Sequence, residues 1–279
     1  MVTVKTHLAG VVGWPVAHSL SPRLHGFWLA RHGIDGLYLP LALAPSDLVG
    51  ALRLFARLGF AGVNVTIPHK EAALEAVDEA SALARRIGAV NMVTMRPDGH
   101  LKGENSDAYG FVESLRAAGF SPAQGPVVVI GAGGAARAVV VALLDQGAPE
   151  IRLLNRTAAR AQALARDLDG SIATLPWGER HGALEGASLL VNTTSLGMVD
   201  EEPLDLSLER LTPDTLVTDL VYRPLETSLL KAARARGART LDGLGMLLHQ
   251  ARPGFAAWFG VEPEVDEELR AFVLDDEDG

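Results

Sequence analysis

The stretch that most narrows what this chain can fold into is Gly131-Ala132-Gly133-Gly134-Ala135-Ala136, which follows the apolar run Val127 to Ile130 and opens a helical pattern reaching Gln146. The first glycine permits a tight turn, the second lets backbone approach a pyrophosphate, and the small Ala136 lets the helix pack closely on the strand. Helix N-terminal N–H groups and the helix dipole then favour an anion. A tight βα turn with no ligand would carry the same letters, so the end of the next strand matters. An NAD-binding chain shows an acid there, about 20 residues on. This chain has Asn155-Arg156-Thr157-Ala158-Ala159-Arg160 instead. No carboxylate repels a 2′-phosphate, and two guanidiniums and a hydroxyl stand ready for one, which argues for NADP(H). The alternative is that Thr157 caps a helix and the arginines are solvated.

Short apolar runs alternate with helical patterns along almost the whole chain, the habit of α/β proteins with parallel sheets. Strands are expected at Leu8 to Val12, Leu37 to Ala42 and Gly62 to Val65. Helices are expected at Pro22 to His32, opened by Ser21, and at Asp47 to Leu58, Glu71 to Val77, Ser81 to Ile87 and Asp107 to Ala118. Ala89 to Arg96 and His100 to Gly103 read as a hairpin turned by Pro97-Asp98-Gly99. Gly119 to Pro126 is the best linker, so a first domain is expected over 1–118 and a nucleotide domain over 119–243. The latter starts β-α-β-α with Val127 to Ile130, Gly134 to Gln146, Ile151 to Leu154 and Ala158 to Leu168, and adds strands at Leu189 to Val191, Leu216 to Asp219 and Arg239 to Leu241. The helix Gly245 to Phe259 fits no further βα unit, so 244–279 is assigned to the first domain.

Composition excludes several classes. At 279 residues with 48% hydrophobic and 21% charged, the chain has globular usage and room for a core. Without cysteine it can hold no disulfide, thiolate metal site or cysteine nucleophile, and its eight histidines show no ligand spacing, so no metal is expected. From Glu262 onward nine acids face only Arg270, which leaves the body near neutral and gives no electrostatic ground for nucleic acid or an anionic membrane. That acidic end reads as a solubilising tail. No apolar run reaches the ~20 residues of a membrane span, and Gly13-Trp14-Pro15 breaks the N-terminal apolar stretch, so a cytoplasmic protein is expected.

Three polar clusters interrupt strand-to-helix junctions of the first domain. His18-Ser19-Leu20-Ser21 places two hydroxyls two positions apart, where an extended chain would point both toward one acceptor such as a carboxylate, unless Ser21 is a plain helix cap. Asn64-Val65-Thr66-Ile67-Pro68-His69-Lys70 delivers a lysine past a proline-fixed loop, though a lone lysine there is ordinarily solvated. Asn105-Ser106-Asp107 opens a helix and could serve only as its cap.

Taken together the chain resembles the shikimate dehydrogenase family. The residues carrying the resemblance are His18 to Pro22, Asn64 to Lys70, Gly88 to Asn91, Asn105 to Asp107, Gly131 to Arg137, Asn155 to Arg160, Asn192 to Met198, Asp219 to Tyr222 and Asp242 to Gln250. They run in the family's order from Gly10 to Gln250. The resemblance implies an N-terminal α/β substrate domain, a Rossmann-like NADP-binding domain and C-terminal helices returning to the substrate domain. It implies reduction of 3-dehydroshikimate to shikimate with NADPH, in the route to aromatic amino acids. It assigns the substrate carboxylate to Ser19, Ser21 and Tyr222, and the ring hydroxyls to Thr66, Lys70, Asn91, Asp107 and Gln250. It gives the dinucleotide to Gly131, Ala132, Gly133, Gly134, Ala135, Asn155, Arg156, Thr157 and Arg160, with Leu220 and Gly243 beside the nicotinamide. Ser106 stands where the family usually has threonine, and Ser21 stands where members that also oxidise quinate carry threonine.

Such chemistry asks for little: hydride passes directly from the cofactor, and one proton must be handled. Lys70 is the expected general acid and base, with Asp107 orienting it. A quinate/shikimate dehydrogenase of broader specificity and a non-catalytic NADP-binding redox regulator are the other readings. A monomer and a homodimer are both open.

Overall fold

The computed structural model of the protein describes residue 3 and residues 5–275, and the chain separates into two compact units. The first unit runs to Asp107 and resumes at Leu247; the second is Ala108 to Met246. The division falls at the start of a helix, ahead of the Gly- and Pro-rich segment after Ala118.

In the first unit, β1 (His7–Gly13), α1 (Ser21–Arg31), β2 (Gly36–Ala42), α2 (Leu48–Arg57), β3 (Phe60–Val65), α3 (Lys70–Ala76), β4 (Glu79–Ala80), α4 (Ala82–Ile87), β5 (Met92–Met95) and β6 (Leu101–Glu104) follow in order. The sheet order is β2-β1-β3-β5-β6-β4. β1 runs parallel to both neighbours, while β5 and β6 form the expected antiparallel hairpin, whose turn has Gly99 at φ 85°. Val12, Val63, Val65, Val93 and Leu101 pack on one face with Leu48 and Leu52 of α2. On another side Ala9, Val11, Tyr38 and Met92 pack with Trp258.

The second unit comprises α5 (Asp107–Ala117, whose first residue closes the first unit), β7 (Val127–Ile130), α6 (Gly134–Asp145), β8 (Ile151–Leu154), α7 (Ala158–Asp167), β9 (Ile172–Leu175), β10 (Leu189–Asn192), β11 (Leu216–Asp219), α8 (Ser228–Ala235) and β12 (Arg239–Leu241). All neighbouring strands are parallel, in the order β12-β11-β10-β7-β8-β9. Numbered within the unit this is 3-2-1-4-5-6 from the β9 edge, the doubly wound order in which ligands bind where the strand order reverses, here between β7 and β10. β7 and β10 are buried along their whole length, as strands covered by helices on both faces must be.

The chain ends with α9 (Leu244–Phe259) and α10 (Glu267–Leu274). Most of α9 belongs with the first unit. The acidic end is not simply a solubilising tail. Asp266 caps α10 by accepting from Leu269 N at 2.9 Å, Arg31 of α1 binds Asp266 and Glu268, and Arg23 lies over the Phe272 ring. Trp28 Nε1 donates to Glu264 O at 3.0 Å, while Leu269 and Val273 are buried. Apolar residues at helical spacing outweigh the net charge here. Asp276, Glu277 and Asp278 lie outside the described residues.

His25 on the buried face of α1 stacks on Tyr38 with centroids 3.8 Å apart, and both its ring nitrogens are buried without a hydrogen-bond partner. Burial pushes its pKa down from 6.5 to about 3. The unfolded chain therefore takes up the proton first, so the stability owed to a neutral His25 is full above pH 6.5 and is lost as pH falls toward 3. His25→Phe keeps a ring in the stack but has no proton to take up. Its stability relative to wild type, measured by urea unfolding, should rise by about 2 kcal/mol from roughly pH 7 to pH 5. A difference that stays flat would contradict this.

Candidate active site

The polar cluster of the first unit forms where β3 and β6 end beside the start of the antiparallel β5. Val65 N donates to Asn91 O at 2.8 Å and Asn91 N to Glu104 O at 3.1 Å, which places Asn91 between the ends of β3 and β6. Past β3, His69 N closes a turn on Thr66 O at 2.9 Å, and the buried His69 ring bonds Leu43 O through Nε2 at 2.8 Å. Lys70 then opens α3, and its carbonyl accepts from Val90 N at 2.8 Å.

Lys70 Nζ donates to Asp107 Oδ2 at 2.5 Å, with the two side chains only 14% and 5% exposed. The solvated reading of Lys70 therefore fails. Asn91 Nδ2 donates to the other oxygen, Asp107 Oδ1, at 2.8 Å. The Ser106 N–H donates to Asn91 Oδ1 at 2.8 Å, which fixes which way the amide faces. Gln250 Oε1 accepts from Asn91 Nδ2 at 3.3 Å, while Gln250 Nε2 donates to Leu247 O. Asn105 Oδ1 accepts from Asp107 N, the first residue of α5, at 3.0 Å in an Asx turn leading into the helix, while the Ser106 and Asp107 side chains bond Asn91 and Lys70. An ammonium and a carboxylate thus sit in contact and largely out of water, able to pass a proton to a group that reaches them.

Ser19 and Thr66 lie on the turns leaving the adjacent strands β1 and β3, Ser21 opens α1, and none of the three makes a hydrogen bond to that cluster among the described residues. The expected extended geometry of the serine pair does not occur: Leu20 between them is helical, at φ −81° and ψ −5°. Ser19 Oγ accepts from Ser21 N at 3.3 Å, and Leu20, not Ser21, takes the cap position of α1 without a side-chain bond. The Ser21 and Thr66 hydroxyls have no partner among the described residues. Sequence reasoning missed that Asn64 is part of this frame. Its Nδ2 donates to Asn91 O at 3.2 Å and its Oδ1 accepts from Tyr38 Oη at 2.6 Å, and its alternation with Thr66 was the available signal.

In the second unit, Gly131 follows β7 at φ 116°, and a Cβ there would fall 2.4 Å from Thr193 Oγ1, so only glycine fits. Gly133 caps α6 with nothing within 4 Å of where a Cβ would stand, which leaves the helix N-terminus open beside Ala132, Gly134 and Ala135. At the end of β8, Asn155 Nδ2 donates to Thr157 O at 2.9 Å and shapes the turn before α7. Thr157 occupies the cap position of α7 without capping through its hydroxyl. Arg156, Thr157 and Arg160 are exposed. An open helix N-terminus, close backbone and exposed guanidiniums with no acid among 155–160 fit a dinucleotide bearing a 2′-phosphate. Leu220 follows β11, and a Cβ on Gly243 would meet Leu220 O at 2.4 Å. Tyr222 lies in this unit, whereas Ser19 and Ser21 lie in the other. Among the described residues no cluster of His, Asp or Glu could hold a metal ion, and no helix is long and apolar enough to cross a membrane.

Residues 11–93 match the model of the shikimate dehydrogenase substrate binding domain, and residues 116–209 match that of shikimate / quinate 5-dehydrogenase. The chain is 60% identical over 272 residues to the NADP(+)-dependent shikimate dehydrogenase of Paramagnetospirillum magneticum, covering 97% of this chain and 99% of that one. The solved shikimate 5-dehydrogenase of Thermus thermophilus, in complex with NADP(H) and shikimate, is 40% identical with TM-score 0.87, over 97% of this chain and 99% of that one. A quinate dehydrogenase from Corynebacterium glutamicum in complex with NAD reaches the same TM-score at 33% identity, over 97% of this chain and 99% of that one. With its nucleotide turn, its buried lysine–aspartate pair and relatives of this identity over nearly the full length, the chain belongs to the shikimate dehydrogenase family.

Proposed function

We propose that this chain catalyses the reversible NADPH-dependent reduction of 3-dehydroshikimate to shikimate, and that the Lys70–Asp107 contact, 2.5 Å long and braced by Asn91, is the observation that carries it. When bound, the nicotinamide supplies or accepts the hydride. Lys70 Nζ gives a proton to the carbonyl oxygen as negative charge grows there, and takes it back in the oxidation direction. Asp107, fixed at Oδ1 by Asn91, holds the ammonium in place with Oδ2. The free hydroxyls of Ser21 and Thr66 suit a polar substrate: Ser19 and Ser21, with Tyr222, take its carboxylate, and Thr66, Asn91 and Gln250 take ring hydroxyls. Gly131 to Ala135 carry the pyrophosphate, Asn155 to Arg160 the adenosine end, and Leu220 and Gly243 border the nicotinamide. The partners are small molecules, the location is the cytoplasm, and every group named lies in one chain, as a monomer or a homodimer would equally provide.

The experiment is absorbance of the reduced nicotinamide with shikimate or quinate as donor and NADP or NAD as acceptor. Turnover is expected with shikimate and NADP, and appreciable quinate or NAD turnover would move the reading to the broader-specificity enzyme. Lys70→Met should lower kcat about a thousandfold while NADP still binds. A kcat within about tenfold of wild type would remove Lys70 from the proton step. Arg156→Ala should raise KM for NADP about tenfold and leave that for NAD unchanged, since a charged hydrogen bond contributes about 1.5–3 kcal/mol. Equal changes for both cofactors would contradict its placement at the 2′-phosphate.

A further inference from the structure

Two segments singled out in the sequence, Asn192 to Met198 and the aspartate of Asp219 to Tyr222, have no part in the chemistry above. Asn192 and Asp219 are register partners at the carboxyl ends of β10 and β11, and both are fully buried. Asp219 Oδ1 accepts from Asn192 Nδ2 at 2.9 Å and from Val221 N at 3.1 Å. Its Oδ2 accepts from Thr227 Oγ1 at 2.7 Å, whose oxygen in turn accepts from Leu230 N to cap α8. None of these partners is a cation. Burial pushes the carboxyl up to about 6, against the pull of its three donors. A neutral amide would set an N–H donor against the Thr227 hydroxyl, whereas an ionised carboxylate accepts from all three donors at once.

From this carboxylate the contacts run outward to the nucleotide turn. Asn192 Oδ1 accepts from Thr194 N at 3.1 Å and Thr194 Oγ1 at 2.7 Å, and its Nδ2 also reaches Leu196 O, so one amide shapes the turn after β10. Thr193 Oγ1 donates to Ile130 O at 2.7 Å, beside the place where a Cβ on Gly131 would clash. Leu220 N donates to Asn192 O at 2.9 Å. These turns flank the reversal of strand order between β7 and β10, where a doubly wound sheet binds its ligand.

We infer that Asp219 is a positioning residue for the nicotinamide end of the dinucleotide site: through Asn192 and the Leu220–Val221 backbone it fixes the turns after β10 and β11 against the cofactor. The inference rests on the dinucleotide reading given under the proposed function. Its test compares, by titration calorimetry on the full chain, binding of NADP with binding of adenosine 2′,5′-bisphosphate, which lacks the nicotinamide half. Asp219→Asn should weaken NADP and lower kcat by about tenfold each, while the bisphosphate binds within about twofold of wild type. Thr227→Val, which removes one donor to the carboxylate, should show a smaller loss of the same pattern and stands in if Asp219→Asn fails to fold. Equal weakening of both ligands would overturn the inference, because Asp219 would then support the unit as a whole. NADP affinity and kcat both unchanged would overturn it as well. A wild-type chain that binds neither nucleotide would bring down the dinucleotide reading, and this inference with it, before any variant is made.

Discussion

An ammonium and a carboxylate held 2.5 Å apart with little access to water are costly unless each is fully engaged, and the first unit is arranged around meeting that condition for Lys70 and Asp107. Asn91 occupies the second carboxylate oxygen, the Ser106 N–H fixes the Asn91 amide, and Asn105 holds the Asp107 main chain. The carbonyl of Lys70 is tied to Val90, one residue before Asn91. Two helix starts carry the pair, and the ends of β3 and β6 hold the Asn91 main chain that braces it. The helices and core beneath, with Leu48 and Leu52 packed on the valines of β1 and β3, keep those ends in register.

The second unit buries a carboxylate in a different way. Asp219 faces a backbone N–H, an amide and a hydroxyl, all neutral. The paired carboxylate sits against an ammonium; the other sits among neutral groups that only donate. The first arrangement suits chemistry and the second suits holding backbone still, a division set by the partners rather than by the residue type.

Much of this was legible in the sequence because the strongest signals are local. The apolar runs Val127 to Ile130 and Ile151 to Leu154 are strands at those bounds, and the glycine turn between β7 and α6 has the positive φ its first residue implied. Long-range packing was not legible. The alternation argument for Ser19 and Ser21 failed because Leu20 turns helical into α1. The acidic end read as a solubilising tail from its charge alone, whereas Leu269 and Val273, spaced for a helix, pack α10 on α1. The short strands β4 and β9 and the helix α8 went unread, although Thr227 before Leu229 and Leu230 was a cap signal. Asp219 looked like the polar end of a strand; its weight comes from Asn192 and Thr227, which only folding brings to it.

The way the chain leaves the first unit at Asp107 and re-enters it at Leu247 bears on how the protein is made. The nucleotide unit, second in the sequence, is one uninterrupted stretch and is complete first as the chain grows. The first unit waits: Lys70, Asn91 and Asp107 are synthesised early, but Gln250, which touches Asn91, and Trp258, which closes the core over β1 and β2, follow only after the second unit. Domains tend to fold as units during synthesis, N-terminal ones first. Here the sequence of the first unit is complete only after the whole of the inserted unit has been made, so the inserted unit is the one whose sequence is finished first.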